Sequence, residues 1–237
     1  MQTIKALTFD TGGTILDWHT GVSRALSVAG GRRGLERDWP MIANNYRARS
    51  LKAMVNTGAD APATFNIDDV HRRILDEMIT KHDLSAFTAD DREAIWRAWH
   101  ELDCWPDFPT TLAKLRQNFV VASFTILSVS LIIDTAKRNG LSWDAVISCE
   151  MIGKYKILPG AYEQTAKWLA FEPSEILIVA CHNFDLDAAR AVGFKSAFVR
   201  RPDEWGAAGP PDPHPHPHHD IVAEDFPDLA SQLGLEA

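Results

Sequence analysis

Beyond Trp105-Pro106 the chain alternates short apolar runs with helix-length amphipathic segments, and this restricts it to a parallel sheet flanked by helices on both faces. Phe119 to Phe124, Asp144 to Ser148, Ile176 to Ala180, Ser196 to Val199 and Ile221-Val222 read as strands. Thr111 to Gln117, Ser130 to Asn139, Gly160 to Leu169 and Asp187 to Val192 read as helices, with Gly140 and Gly193 as stop signals. One further strand stands near the start of the chain. Ile4-Lys5-Ala6-Leu7-Thr8-Phe9 runs into Asp10-Thr11-Gly12-Gly13-Thr14, so a lone carboxylate is delivered from a buried strand directly into a glycine turn. By itself that Asp is either a turn cap or a nucleophile, with Thr14 placed to hydrogen-bond back across the loop.

Between the first strand and the rest, Trp18 to about Trp99 has helical spacing in Glu36 to Val55, Ile67 to Lys81 and Ala89 to Glu101. Gly58 to Thr64 breaks this region, and so does Ser85 to Asp90, where Asp and Thr stand as helix N-caps. The division predicted is an α/β, Rossmann-like parallel-sheet core over residues 1–16 and 100–237, with a helical insertion over residues 17–99. Near the C-terminus, Gly206 to His219 alternates Pro with His. That pattern favours an extended loop whose imidazoles do not converge on one ion, so a surface loop without metal is expected.

The charge balance, 32 Asp plus Glu against 24 Lys plus Arg, argues against nucleic acid or an anionic membrane as the main partner and favours a small-molecule ligand. Three widely spaced cysteines, Cys104, Cys149 and Cys181, fit neither a disulfide framework nor a zinc site. The first strand starts within a few residues of Met1, and no apolar run approaches ~18 residues. A soluble cytoplasmic protein is the expectation.

Each strand of a parallel sheet should end in the reactive groups, because ligands bind at the carboxyl edge. Asp10 follows the first strand, Thr125 ends the run from Phe119, Lys156 lies in the loop after Ile147, and His182 with Asp185 follows Ala180. A carboxylate, a hydroxyl, an ammonium and a second carboxylate at one edge suit covalent attack by the first carboxylate. The lysine offsets charge, the hydroxyl orients an anion, and the second carboxylate holds the lysine or a water.

In order and context, Asp10-Thr11-Gly12-Gly13-Thr14, Thr125, Lys156 and His182-Asn183-Phe184-Asp185 resemble the four motifs of the haloacid dehalogenase superfamily. The helical insertion resembles its cap. The resemblance is closest to the L-2-haloacid dehalogenase branch, through Asp17-Trp18, Tyr46-Arg47 with Leu51, Tyr155-Lys156 with Pro159 and Tyr162, and Arg200-Arg201-Pro202-Asp203-Glu204-Trp205-Gly206. It implies a covalent aspartyl ester on Asp10, supported by Lys156, Asp185, Thr125 and Thr14, and a small haloalkanoate substrate. Thr11, Gly12, Arg47, Ile126, Tyr162, His182, Asn183 and Phe184 would contact that substrate. No cofactor or metal is implied, and a homodimer would fit the family.

For several of these residues a bland reading competes. Arg47 is either the cap arginine that meets a carboxylate or halide, or a solvated helix residue; His182 is a satisfied loop histidine or a water contact; Tyr162 and Phe184 are pocket walls or core aromatics. Lys154 competes with Lys156 and is the more solvated candidate. Gly12 decides the branch, since phosphatases of the superfamily place an aspartate there to protonate a departing alkoxide, and halide needs no proton. Cys181 stands where those phosphatases keep a metal-binding carboxylate. Three positions depart from the dehalogenase pattern: Ile126-Leu127 replace Asn-Gly after the second motif, Ile157-Leu158 replace Pro-Asp and so loosen the lysine loop, and Ala180 replaces a serine beside the hydrolytic water. A phosphatase of the same fold and a catalytically silent binding protein are the competing readings.

Overall fold

The computed structural model describes residues 4–57 and 66–235. Its six strands are β1 (Ala6–Phe9), β2 (Val120–Thr125), β3 (Ala145–Ser148), β4 (Ile176–Ala180), β5 (Lys195–Val199) and β6 (Ile221–Ala223). They form one sheet in the order β3-β2-β1-β4-β5-β6, with every neighbouring pair parallel. Strand order reverses at β1, so the cleft between the ends of β1 and β4 is a topological switch point, where open α/β sheets bind ligands. Register carries this through: Phe9 pairs with Val179 on one side and Ser123 on the other, and the Asp10 N–H donates to the Val179 carbonyl at 3.0 Å.

Both faces of the sheet are covered, which explains why β4 is apolar throughout and β1 is apolar but for the buried Thr8. Side chains alternate across the sheet. Leu7, Phe9, Leu177 and Val179 face one apolar cluster, while Ala6, Ile176, Ile178 and Ala180 face the other. Helices α1 (Trp18–Arg32), α2 (Trp39–Thr57), α3 (Ile67–Lys81) and α4 (Ala89–Arg97) are inserted between β1 and β2, and α4 continues as a 3-10 turn over Ala98–Glu101. The first cluster runs without a break from β1 into these helices, through Trp18, Ile42, Tyr46, Ile74 and Trp99.

Connecting helices follow in sequence as α5 (Phe108–Leu115), α6 (Val129–Asn139), α7 (Cys149–Ile152), α8 (Pro159–Leu169), α9 (Asn183–Val192) and α10 (Phe226–Gln232). Local signals set their ends. Thr88 and Asp91 form a reciprocal capping box at the start of α4, Ser128 caps α6, and Gly140 closes α6 in the left-handed conformation. Against the sequence reading, α9 begins at Asn183 rather than Asp187, because its first turn is built from polar site residues with no apolar periodicity. The short helix α7 and the C-terminal α10 were not anticipated, although Asp225 followed by Pro227 supplies a readable start for α10. The break expected at Gly58 to Thr64 lies outside the described residues.

Beneath β1, Phe108 packs edge-on to Phe9 with centroids 5.5 Å apart, and lies 4.6 Å from Phe226 and 5.8 Å from Trp143. It is fully buried. Phe108→Ala should therefore destabilise the fold by about 3–5 kcal/mol. Gly140→Ala, at φ 65° with open space around the added Cβ, should cost only ~1 kcal/mol through the backbone. Equilibrium urea unfolding checks both; equal losses would contradict the assignment of Phe108 to the packed centre.

Candidate active site

The loop after β1 places Asp10 beside the inserted helices with both carboxylate oxygens engaged. Oδ1 accepts from the Lys156 Nζ at 2.9 Å, and Oδ2 accepts from the Thr14 hydroxyl at 2.7 Å and faces His182 Nδ1 at 3.1 Å. Burial alone would raise the Asp10 pKa, but the Lys156 ammonium and the His182 ring outweigh it and hold the carboxyl well below its usual range. Asp10 is thus a fixed anion at neutral pH. Lys156 bridges to Asp185 Oδ2 at 2.6 Å, and the two carboxylates raise its pKa against the opposing effect of burial. Asp185 also accepts from the Tyr162 hydroxyl at 2.7 Å. Burial pushes the Asp185 pKa up, whereas Asp10, with three donors, is the firmer anion of the two.

On the other side of Asp10, His182 bridges to a residue that sequence reasoning did not place in the site. Its Nε2 lies 3.1 Å from Glu204 Oε1, and the Trp18 indole N–H donates to the same oxygen at 3.1 Å. Glu204 is 1 % exposed. Burial opposes charge on both partners, yet the facing Glu204 and Asp10 carboxylates and the Cys181 thiol raise the His182 pKa well above its ordinary value, and His182 in turn lowers that of Glu204. The only sequence signal for Glu204 was its place in the run Arg200 to Gly206; nothing local marks it as a buried acid. Its partner in the first loop is Gly13, at φ 97°, where a Cβ would run into the Glu204 carboxylate.

Gly12 has a comparable reason. A Cβ there would come within 3.0 Å of Arg47 Nη2, the group that donates to the Gly12 carbonyl at 3.1 Å. Space that an acid at position 12 would need is occupied by a guanidinium. Arg47, on α2, is 2 % exposed, and its charge sits 5.7 Å from the Trp18 ring and 6.0 Å from the Trp99 ring. No described group accepts from its Nε or Nη1. Two buried donors of a charged group are therefore left open beside Asp10, a costly arrangement unless an anion arrives.

A cavity of about 360 Å³ joins these groups, with Asp10, Arg47, Lys156 and His182 at its polar end. Leu51, Met54, Ile126, Tyr155, Ile157 and Phe184 line the rest, and Lys52 stands beside them. Ile126 makes an apolar wall. Phe184 stacks on His182 with centroids 5.4 Å apart. Lys154 is exposed, whereas Lys156 is 5 % exposed. After Lys156, Ile157 takes a left-handed φ of 67°, which the ring of a proline excludes, and the Lys156 side chain is held by two carboxylates.

Four expected residues are placed elsewhere. The Thr125 hydroxyl accepts from the Leu127 N–H at 3.0 Å and shares a hydrogen bond with the Thr11 hydroxyl at 2.6 Å, and neither threonine lines the cavity described above. Tyr162 stands behind Lys156 as a support for Asp185 rather than as a pocket wall. Asn183 turns away from the cavity, its amide donating to Asp212 Oδ2 and the His214 carbonyl, both at 2.8 Å. Cys181, in place of a metal-binding carboxylate, is a buried thiol with its pKa raised by burial; its sulfur, with the ammonium of Lys156 at Asp10, does not suit a hard cation such as Mg2+.

The sequence model of the haloacid dehalogenase-like hydrolases matches residues 4–193. A solved structure of a defluorinating L-2-haloacid dehalogenase is 35 % identical, superposes with a TM-score of 0.91, and the match covers 98 % of this chain and 95 % of that one. A second solved L-2-haloacid dehalogenase is 29 % identical with a TM-score of 0.89, covering 97 % and 99 %. (S)-2-haloacid dehalogenase 1 from Pseudomonas sp. (strain CBS-3) is 26 % identical over 227 residues, covering 88 % of this chain and 91 % of its own. The chain belongs to the haloacid dehalogenase-like hydrolases, in their L-2-haloacid dehalogenase branch.

Proposed function

We propose that this protein hydrolyses short 2-haloalkanoic acids to 2-hydroxy acids through an ester on Asp10. The observation that carries this reading is the pairing, in one apolar cavity, of an obligate Asp10 carboxylate with an Arg47 guanidinium whose Nε and Nη1 have no described partner. A short anionic substrate satisfies those donors while its C2 faces Asp10. An Asp10 oxygen attacks C2 from the side opposite the halogen, the carbon–halogen bond breaks, and halide leaves with the bonding electrons and inversion at C2. Halide or carboxylate negative charge is met by Arg47. No general acid is needed at this step, which agrees with Gly12.

Hydrolysis of the ester falls to His182 and Glu204. Esterification removes the Asp10 charge that helped hold the imidazole doubly protonated, so His182 releases its Nδ1 proton to solvent, while Glu204 keeps the proton on Nε2. Nδ1 is then a base facing the acyl carbon. Water adds to that carbon and passes one proton to Nδ1, and the 2-hydroxy acid departs as an alkoxide that takes the proton back. The second water proton passes from the regenerated Asp10 carboxyl to Nδ1, which restores the imidazolium of the resting enzyme. Lys156 holds the ester carbonyl oxygen as it gains negative charge. In this reading the helical insertion is the cap, and it supplies Arg47 and the apolar wall around Leu51.

Halide release from chloro-, bromo- and fluoro-substituted short carboxylates, with p-nitrophenyl phosphate plus Mg2+ as counter-assay, tests the assignment. Halide release without phosphatase activity is expected. Phosphatase activity alone, or neither activity, would overturn it. Arg47→Ala should lower kcat/KM by about two orders of magnitude, the effect of removing a charge-assisted contact.

His182→Gln keeps a hydrogen-bonding group beside Asp10 but removes the base, so it should slow ester hydrolysis by roughly 10²–10⁴-fold without abolishing halide displacement. Rapid-quench halide assays should then show one equivalent released per enzyme followed by a stall. Mass spectrometry of the peptide containing Asp10 should find the adduct. Steady turnover at the parent rate would show that His182 is not the base.

A further inference from the structure

The Pro/His tract does not remain extended. His219 N–H donates to the His216 carbonyl at 3.2 Å, closing a turn with Pro217 at its second position, where the fixed φ of proline favours it. The turn gathers three rings onto α9. His216 Nδ1 lies 2.9 Å from Asp187 Oδ2, His218 Nε2 lies 2.6 Å from Asp187 Oδ1, and one ligand-competent atom from each of Asp187, His216, His218 and His219 falls within 4.8 Å of all the others. This is the convergence that alternating Pro and His was expected to prevent.

We infer that Asp187, His216, His218 and His219 form a binding site for a borderline divalent cation of the zinc, nickel or copper class, which ties the loop over Gly206 to His219 to α9. Three imidazoles and one carboxylate make an N3O donor set, suited to such ions and poorly suited to Mg2+ or Ca2+, which prefer oxygen. Tetrahedral zinc at ~2.0–2.1 Å from each ligand separates the ligands by about 3.4 Å, so a contraction of little more than ~1 Å assembles the site. Polar neighbours already hold the rings. His219 Nε2 donates to Asn183 Oδ1 at 2.8 Å and Ser196 Oγ lies 3.2 Å from His219 Nδ1, so an arriving metal takes His219 by displacing one of these two hydrogen bonds. Asn183 anchors the loop by accepting from the His216 N–H at 3.1 Å and donating to Asp212 and the His214 carbonyl. That role accounts for its absence from the substrate cavity.

The site is separate from the nucleophile but shares α9 with Asp185, so its occupancy should be read first as binding and stability. Protein stripped with chelator and dialysed should take up one equivalent of Zn2+ by isothermal titration and elemental analysis, with a rise in thermal midpoint, because a ligand that binds only the folded state stabilises it. Substitution with Co2+ should give visible absorption of low coordination number. His218→Ala and, independently, Asp187→Ala should weaken Zn2+ binding at least about tenfold and remove the thermal shift. His214→Ala, in the tract but outside the cluster, should bind as the parent does. Equal loss in His214→Ala would mean that the tract chelates as an unstructured run, and loss of the equivalent in Cys181→Ser would place the metal at Cys181, His182 and Glu204. Either result, or no uptake by the parent, overturns the proposal.

Discussion

A buried ammonium between two carboxylates governs this structure. Lys156, 5 % exposed, cannot be removed from water without compensation, and Asp10 and Asp185 supply it at 2.9 and 2.6 Å. The three groups come from the ends of three segments: the loop after β1, the loop after β3, and the first turn of α9 after β4. Only a parallel sheet with β1 beside β4 brings those ends to one edge. Fold and chemistry are therefore one constraint. The same contacts that make the lysine affordable in the interior keep Asp10 ionised, and an ionised carboxylate held away from bulk water is a competent nucleophile.

The first loop solves a crowding problem around that carboxylate. Arg47 approaches from the inserted helices and Glu204 from the C-terminal segment, and both need the volume of a missing side chain. Gly12 yields to the guanidinium and Gly13 to the Glu204 carboxylate. Trp18 links the two, since its indole N–H holds Glu204 while its ring lies beneath Arg47. A side chain at position 12 would press on the Arg47 guanidinium, which lies 3.0 Å from the site of its Cβ and would have to give way.

Much of this was legible in the sequence because it depends on local pattern. Strand β4 and helix α3 match the apolar periodicity residue for residue, and the order Asp10, Lys156, Asp185 follows from strand ends. Features set by long-range contact were not legible. Glu204 meets His182 across 22 residues of chain, and no pattern near Arg200 to Gly206 reports its burial. Thr125 looked like an anion contact because it ends a strand, but its hydroxyl is paired with that of Thr11, a partner 114 residues away, outside the cavity lining. Asn183 lies in the fourth motif, yet which face of α9 it occupies is decided by a loop about thirty residues later. The Pro/His tract misled for a different reason: a single turn at Pro217 reverses the spacing that alternation predicts.

The central claim is that Asp10 forms a covalent bond to substrate carbon, and oxygen tracing tests it most directly. In an ester mechanism the hydroxyl oxygen of the product comes from the Asp10 carboxylate, and solvent oxygen enters the enzyme when the ester is cleaved. A single turnover in 18O-water with enzyme in excess should leave the 2-hydroxy acid unlabelled and place 18O in the peptide containing Asp10. Label in the product and none on Asp10 would show that water displaces the halide directly and that the carboxylate acts only as a base.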